Sequence, residues 1–349
     1  MKKLNIWSLC IMGVLVLLAS ACSTADDTAS DVTADGKRPY YFSFNTGGMS
    51  TTPTRGLPEA ALSKHVGVSS FLYAKNANPG KPNFMWNEEV VKKETSWRTR
   101  HVFAVPETGH NMKFMAYYPY HEQTQEEQVL TLSDDNTTGP TVITYEVPAD
   151  VKDQEDIMSG ESDVIDTDVE TNSLSITMKH RLAGIQFVTG DIGLAGSIES
   201  ITLKGIYKKG TYTLGASNWT LVGSPDDVEF TIKPMYEVQV NEDGVTLADE
   251  EGGKQVIAPE DSTLLILPQQ IPVDAKLVIK FRARAKGEEE IRLHTLEAPL
   301  RSNALTEWEW GKIYRYKISV ISLALEYDLE THDWEGGTDQ SVVQGKIVI

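Results

Sequence analysis

The chain has 349 residues and a formal net charge of -18, a field that opposes DNA, RNA and anionic lipid headgroups. No basic patch with interleaved aromatics relieves it, which argues against nucleic-acid partners. Its two cysteines are Cys10 and Cys22; beyond Cys22 there is no thiol, so disulfide staples, thiolate metal sites and a cysteine nucleophile are excluded there.

Lys2 and Lys3 precede an apolar run from Ile11 to Leu18, followed by Ala19, Ser20, Ala21 and Cys22. A basic start, a short hydrophobic stretch and small residues predict a secretory signal over 1–21, too short and too abruptly polar afterwards for a stable membrane span. The small residues ahead of Cys22 resemble the lipobox of bacterial lipoproteins, with Ala19 where Leu is usual. That resemblance implies cleavage by a signal peptidase, lipid-modifying enzymes acting on Cys22, and a chain tethered to a membrane. Residues 22–38 are small, acidic and aperiodic, and read as a flexible tether.

Pro39 to Asn45 alternates as a first strand, with Tyr40, Phe42 and Phe44 on one face and Tyr41, Ser43 and Asn45 on the other. A Gly-Ser-Thr-Pro loop from Thr46 to Pro58 follows and carries Arg55; Gly56 to Val66 has room for a helical turn or two. Further strands are expected at Val66–Lys75, Val102–Val105, Met112–Tyr118 and Thr141–Val147. Ala149 to Thr171 reads as an acidic connection with nine Asp or Glu, pinned locally by Ile157–Met158 and Val164–Ile165. A long strand is expected from Ser173 to Val188, with a small-residue break at Ala183-Gly184. Ile198–Leu203, Gly210–Leu214, Val228–Pro234, Ser262–Leu267, Leu277–Arg284, Glu290–Leu296 and Lys312–Leu325 complete the series. With no long amphipathic helix and no strand–helix alternation, the pattern predicts antiparallel β-sandwich domains over 39–172 and 173–349.

Catalytic motifs are missing. The seven histidines form no His-x-x-x-His pair, and Glu107-Thr-Gly-His110 is a turn. There is no Gly-x-Ser-x-Gly elbow and no phosphate loop. Asp134-Asp135, Asp226-Asp227 and Asp153/Glu155/Asp156 do not fit a calcium loop and read as solvated charges, with calcium as the alternative. Trp86, Trp97, Tyr117, Tyr118 and Tyr120 suit either a core or a sugar-stacking platform. The expectation is a non-enzyme without cofactor or metal.

Several stretches in order resemble the fimbrillin and Mfa-like lipoproteins of Bacteroides-type bacteria, the subunits of type V pili. They are Tyr41-Phe-Ser-Phe-Asn45 followed by Thr54-Arg55-Gly56, Phe114-Met-Ala-Tyr-Tyr-Pro-Tyr120, Lys179-His-Arg-Leu-Ala-Gly-Ile-Gln-Phe187, Leu264-Leu-Ile-Leu-Pro268, and Trp310-Gly-Lys-Ile-Tyr-Arg-Tyr316 with Asp333-Trp334. The resemblance implies two tandem transthyretin-like β-sandwiches and a structural or adhesive function without catalysis. It implies lipid anchoring at the outer membrane, cleavage by an arginine-specific protease at Arg55, and polymerisation with other fimbrial subunits by donor-strand exchange. Tyr40, Phe42 and Phe44 would be the displaced strand. Val342, Lys346, Ile347, Val348 and Ile349, within Ser341–Ile349, form the candidate donor strand; pairing within its own domain is the other reading of that segment. A terminal subunit would have a host protein or glycan as partner. The rival reading is a glycan-binding surface lipoprotein using Trp86, Trp97 or Trp219.

Overall fold

A computed structural model describes residues 33–46, 62–94, 96–123, 129–135, 138–225, 229–238, 240, 257, 263–284, 287, 289–321 and 323–334. Among them the single helical element is a 3-10 turn, Val151–Asp153, whose first turn is capped by the Asp150 side chain accepting from the Lys152 amide. All other regular structure is strand, mostly antiparallel, so the protein is all-β. No described helix is long and apolar enough to cross a membrane.

Strands of the first half follow one another around a ring. Met158–Glu161 pairs with Ser173–His180, which pairs with Tyr41–Thr46; next come Ser96–Thr99, Met85–Lys93, Val66–Ala74 and His110–Tyr118, and the last pairs again with Met158–Glu161. Ile165–Asp166 extends the same flank of His110–Tyr118. Closure leaves few free edges, which is how an antiparallel sheet protects its backbone groups.

Strict alternation then sorts the side chains into two cores. Met112, Phe114, Ala116 and Tyr118 fill the ring with Val66, Val68, Met85, Val90, Leu174, Ile176 and Met178. The intervening Met115 and Tyr117 join a second, larger core on the outside of the ring. Gly67 makes that possible, since a Cβ there would sit 2.0 Å from the Tyr117 ring.

The larger core lies between two layers. One is Leu264–Ile266, Ala183–Ile192, Lys312–Ile321 and Ala324–Asp333; the other contains Glu229–Ile232, Tyr236–Val238, Gly196–Lys204, Lys276–Ala283 and Arg292–Pro299. A small sheet stitches the halves together, because Lys209–Thr213 of the second pairs with Val142–Glu146 of the first. Its Leu130, Ile143, Tyr145 and Tyr212 belong to the larger core.

Several sequence expectations are corrected by this arrangement. Ser173 to Val188 is two strands, Ser173–His180 in the ring and Ala183–Ile192 in the second half, so the passage falls at Arg181-Leu182 instead of 172–173. Arg181 anchors it: the side chain is buried, its Nε donates to Ser159 Oγ at 2.7 Å, and its guanidinium lies 4.7 Å from the Trp310 ring centre. The tether expected to run to residue 38 ends earlier, since Lys37–Arg38 pairs with Phe103–Ala104. Lys312–Leu325 is one arm and the start of another in a hairpin of Lys312–Ile321 and Ala324–Asp333; the turn lacks Gly and Pro, and Leu323 takes a left-handed φ of 64°. The acidic connection contributes two strands. The part of Gly56 to Val66 offered as helical lies, through residue 61, outside the described residues.

Candidate functional site

The strand singled out in the sequence has an unusual seat. Tyr40 and Phe42 are buried at 1% and 4% exposure, and Phe44 packs against the same ring core. Phe42 stacks on Phe44 at 5.6 Å and meets Phe114 edge-on at 5.8 Å; Phe44 in turn meets Trp97 at 5.6 Å. Tyr40 contacts Phe84, Phe103 and Phe114. Such aromatic pairs add about 0.5–1.5 kcal/mol each beyond their burial. On the opposite face Asn45 Nδ2 donates to Ser175 Oγ at 3.0 Å.

The two flanks of this strand differ. On one side Tyr41 to Thr46 runs parallel to Ser173 to Met178 in unbroken register. On the other, ladder pairing is confined to Tyr41 with Arg98 and Phe42 with Trp97. Ahead of them the Tyr40 amide donates to Thr99 Oγ1 at 3.0 Å and the Thr99 amide to the Tyr40 carbonyl at 2.9 Å. Among the described residues, Ser43 to Thr46 have no ladder partner on that second flank.

Charged groups brace the surroundings. Arg38 is buried and pairs with Glu170 at 2.6 Å. Glu89 and Glu88, inside Met85–Lys93, are bound by His65, Arg100 and His101. Glu155 accepts from His121 and Lys64; burial pushes its carboxyl up, and hydrogen bonds from those two partners more than offset this, leaving it below its ordinary value. Burial pushes the Tyr40 phenol up, against a smaller opposing pull from Arg38. Among the described residues no three His, Cys, Asp or Glu side chains are grouped so as to hold a metal ion. Asp156 pairs with His180, whose ring stacks on Trp334 at 4.3 Å, so the Asp153/Glu155/Asp156 run is largely spent on ion pairs. Asp226 and Asp227 lie outside the described residues.

The aromatic residues offered as a sugar platform are dispersed, most of them in or against the two cores. Tyr117 and Tyr118 are buried, and Trp219 is buried against Tyr145 and Tyr212 with its Nε1 donating to the Arg181 carbonyl at 2.7 Å. Trp97 belongs to the Phe44 contact, and Trp86 Nε1 donates to the Ser133 carbonyl at 3.1 Å. Of the site residues read from sequence, Tyr40, Phe42 and Phe44 come together. Cys22, Arg55, Val342, Lys346, Ile347, Val348 and Ile349 lie outside the described residues. Thr99 and the parallel pairing with Ser173–Met178 were missed, and Trp97, read from sequence as a core or sugar-stacking residue, meets Phe44. Alternation of Leu174, Ile176 and Met178 showed a strand there, without a signal for its neighbour or its direction.

The described residues thus form a closed ring beside a two-layer β core, with one aromatic strand held on a single full ladder. The profile of the family described as fimbrillin-like matches residues 59–334, and the chain belongs to that family. Fimbrium subunit Fim1C of Phocaeicola vulgatus is 26% identical over 63% of this chain; the chain spans 63% of that curated relative's length. The crystal structure of a fimbrial protein from Bacteroides vulgatus superposes with a TM-score of 0.61 at 16% identity, covering 84% of this chain and 99% of its own. A candidate cell adhesion protein from Bacteroides ovatus gives 0.53 at 16%, covering 85% and 98%. At these identities the two solved structures speak for the fold.

Proposed function

We propose that this chain is a structural or adhesive component of type V fimbriae at the cell surface, assembled with other fimbrial subunits by donor-strand exchange. The observation that carries the reading is the seat of Tyr41–Thr46: one full parallel ladder, one short antiparallel one, and a row of aromatic side chains filling the ring. Withdrawal of that strand exposes a line of backbone donors and acceptors and the sockets of Tyr40 and Phe42, each worth about 1.5–3 kcal/mol of burial. A free subunit does not leave such a groove open, and an incoming extended segment restores both ladder and packing. In this reading Cys22 carries lipid anchoring the precursor to the outer membrane, an arginine-specific protease cuts after Arg55, and residues 341–349 of a neighbour, with Ile347 and Ile349 on one face and Val342 and Val348 on the other, enter the groove. The fimbrial name of the Phocaeicola vulgatus relative supports the partner class.

The test is digestion of the full chain with an arginine-specific protease, followed by denaturing gels of unboiled samples. A ladder requiring both the cut after Arg55 and residues 341–349 is expected. Monomers persisting after complete cleavage would overturn the polymerising role.

A further inference from the structure

The last described residue, Trp334, is buried at 7% exposure although it follows a strand at the end of its sheet. Its contacts reach beyond its own half of the molecule. The Trp334 amide donates to the Gly311 carbonyl at 2.7 Å, and the Gly311 amide donates to the Leu182 carbonyl at 2.9 Å. The indole stacks on the His180 ring at 4.3 Å with only 10° between the planes, and His180 is itself held by Asp156 at 2.8 Å. The indole also covers Gly184, where a Cβ would stand 3.6 Å from it. One residue therefore ties the end of the second half to Ser173–His180 of the ring and to the passage at Arg181-Leu182.

That tie matters when the chain beyond Trp334 is pulled. Ala324–Asp333 pairs with Lys312–Ile321 in consecutive rungs, and the rung nearest the pull is Asp333 opposite Lys312. A hairpin arm drawn from its end frays rung by rung, because each rung carries the tension alone. Trp334 stands ahead of the first rung, so the stack on His180 meets the tension before the ladder does. The strand it touches, Ser173–His180, is also the one that holds Tyr41–Thr46 on its full ladder. Tension entering at residue 335 thus passes to the strand that would grip an incoming segment, by a route that leaves out the final hairpin.

We propose that Trp334 is a clamp at the root of the segment beyond it, passing tension on that segment to the ring and sparing the final strand. The source of the tension rests on the donor role of residues 341–349; the test needs no polymer, so the two readings fail separately. The full chain is stretched by single-molecule force spectroscopy between thiol handles at Thr177→Cys, an exposed position of Ser173–His180, and Glu335→Cys. Cys10→Ser and Cys22→Ser remove the other thiols. With Trp334 and His180 in place, one rupture is expected and no shorter extension ahead of it. Trp334→Ala inserts an earlier step at lower force, of about 35 Å for the ten residues of the final strand. His180→Ala inserts the same step while leaving Trp334 and its strand in place, and Trp334→Phe, which keeps a ring over His180, shows none. The early step in the chain that retains both residues overturns the proposal, as does its absence from His180→Ala. A lowered thermal midpoint with a single unchanged rupture would mark Trp334 as core filling alone, and equally overturns it.

Discussion

Each half of the molecule begins with a strand lying parallel to a later one: Tyr41–Thr46 beside Ser173–His180, and Ala183–Ile192 beside Lys312–Ile321. The second of these is the longer and the more deeply buried. It has ten residues, pairs through Ala183, Gly184 and Ile185 with Leu264–Ile266 on its other flank, and buries Ile185, Phe187 and Ile192. Tyr41–Thr46 has six residues, a short second ladder and Phe44 only partly covered. Two strands with the same topological role therefore differ in how much they bury, and Tyr41–Thr46, the shorter and less covered, is the one the proposed exchange would replace.

The comparison can be broken by measuring what each strand contributes. Phe187→Ala should cost about 3–5 kcal/mol in urea unfolding, the usual penalty for emptying a fully buried aromatic site; a cost near that of Phe44→Ala would erase the contrast. Glu155→Gln should cost about 1.5–3 kcal/mol at neutral pH, because Glu155 accepts charge-assisted bonds from His121 and Lys64 beside the ring-closing strand. Its carboxyl lies below the ordinary 4.5. Its stabilisation is therefore present above that value and lost as pH falls through the lowered one, so acid titration followed by near-UV dichroism should show a step that Glu155→Gln removes. Phe44→Ala should cost about 1–2 kcal/mol, from its contacts to Phe42 and Trp97. Smallest is Glu170→Gln, below about 1 kcal/mol, since its side chain is 76% exposed where it meets Arg38; exchange of the Tyr41–Thr46 amides should nonetheless quicken in deuterium-exchange mass spectrometry.

Much of this was legible in the residues. The alternation of Tyr40, Phe42 and Phe44 gave the face that enters the core, and the spacing of strands gave the all-β class. What local pattern did not carry was pairing between distant strands. Leu174, Ile176 and Met178 announce a strand and say nothing of a parallel neighbour more than a hundred residues earlier. Glu88 and Glu89 concealed Met85–Lys93, because adjacent carboxylates read as solvent-facing until His65, Arg100 and His101 are seen beside them. Arg181 likewise looked unremarkable among strand residues, although its burial between Ser159 and Trp310 marks the passage between halves.

The central claim is that Tyr41–Thr46 leaves its socket on assembly. Peptide mass spectrometry of the subunits in purified polymer measures this directly. The account predicts that peptides spanning Tyr41–Thr46 are absent from polymerised subunits and present in uncut monomer. Polymers that retain those residues in full amount would contradict it.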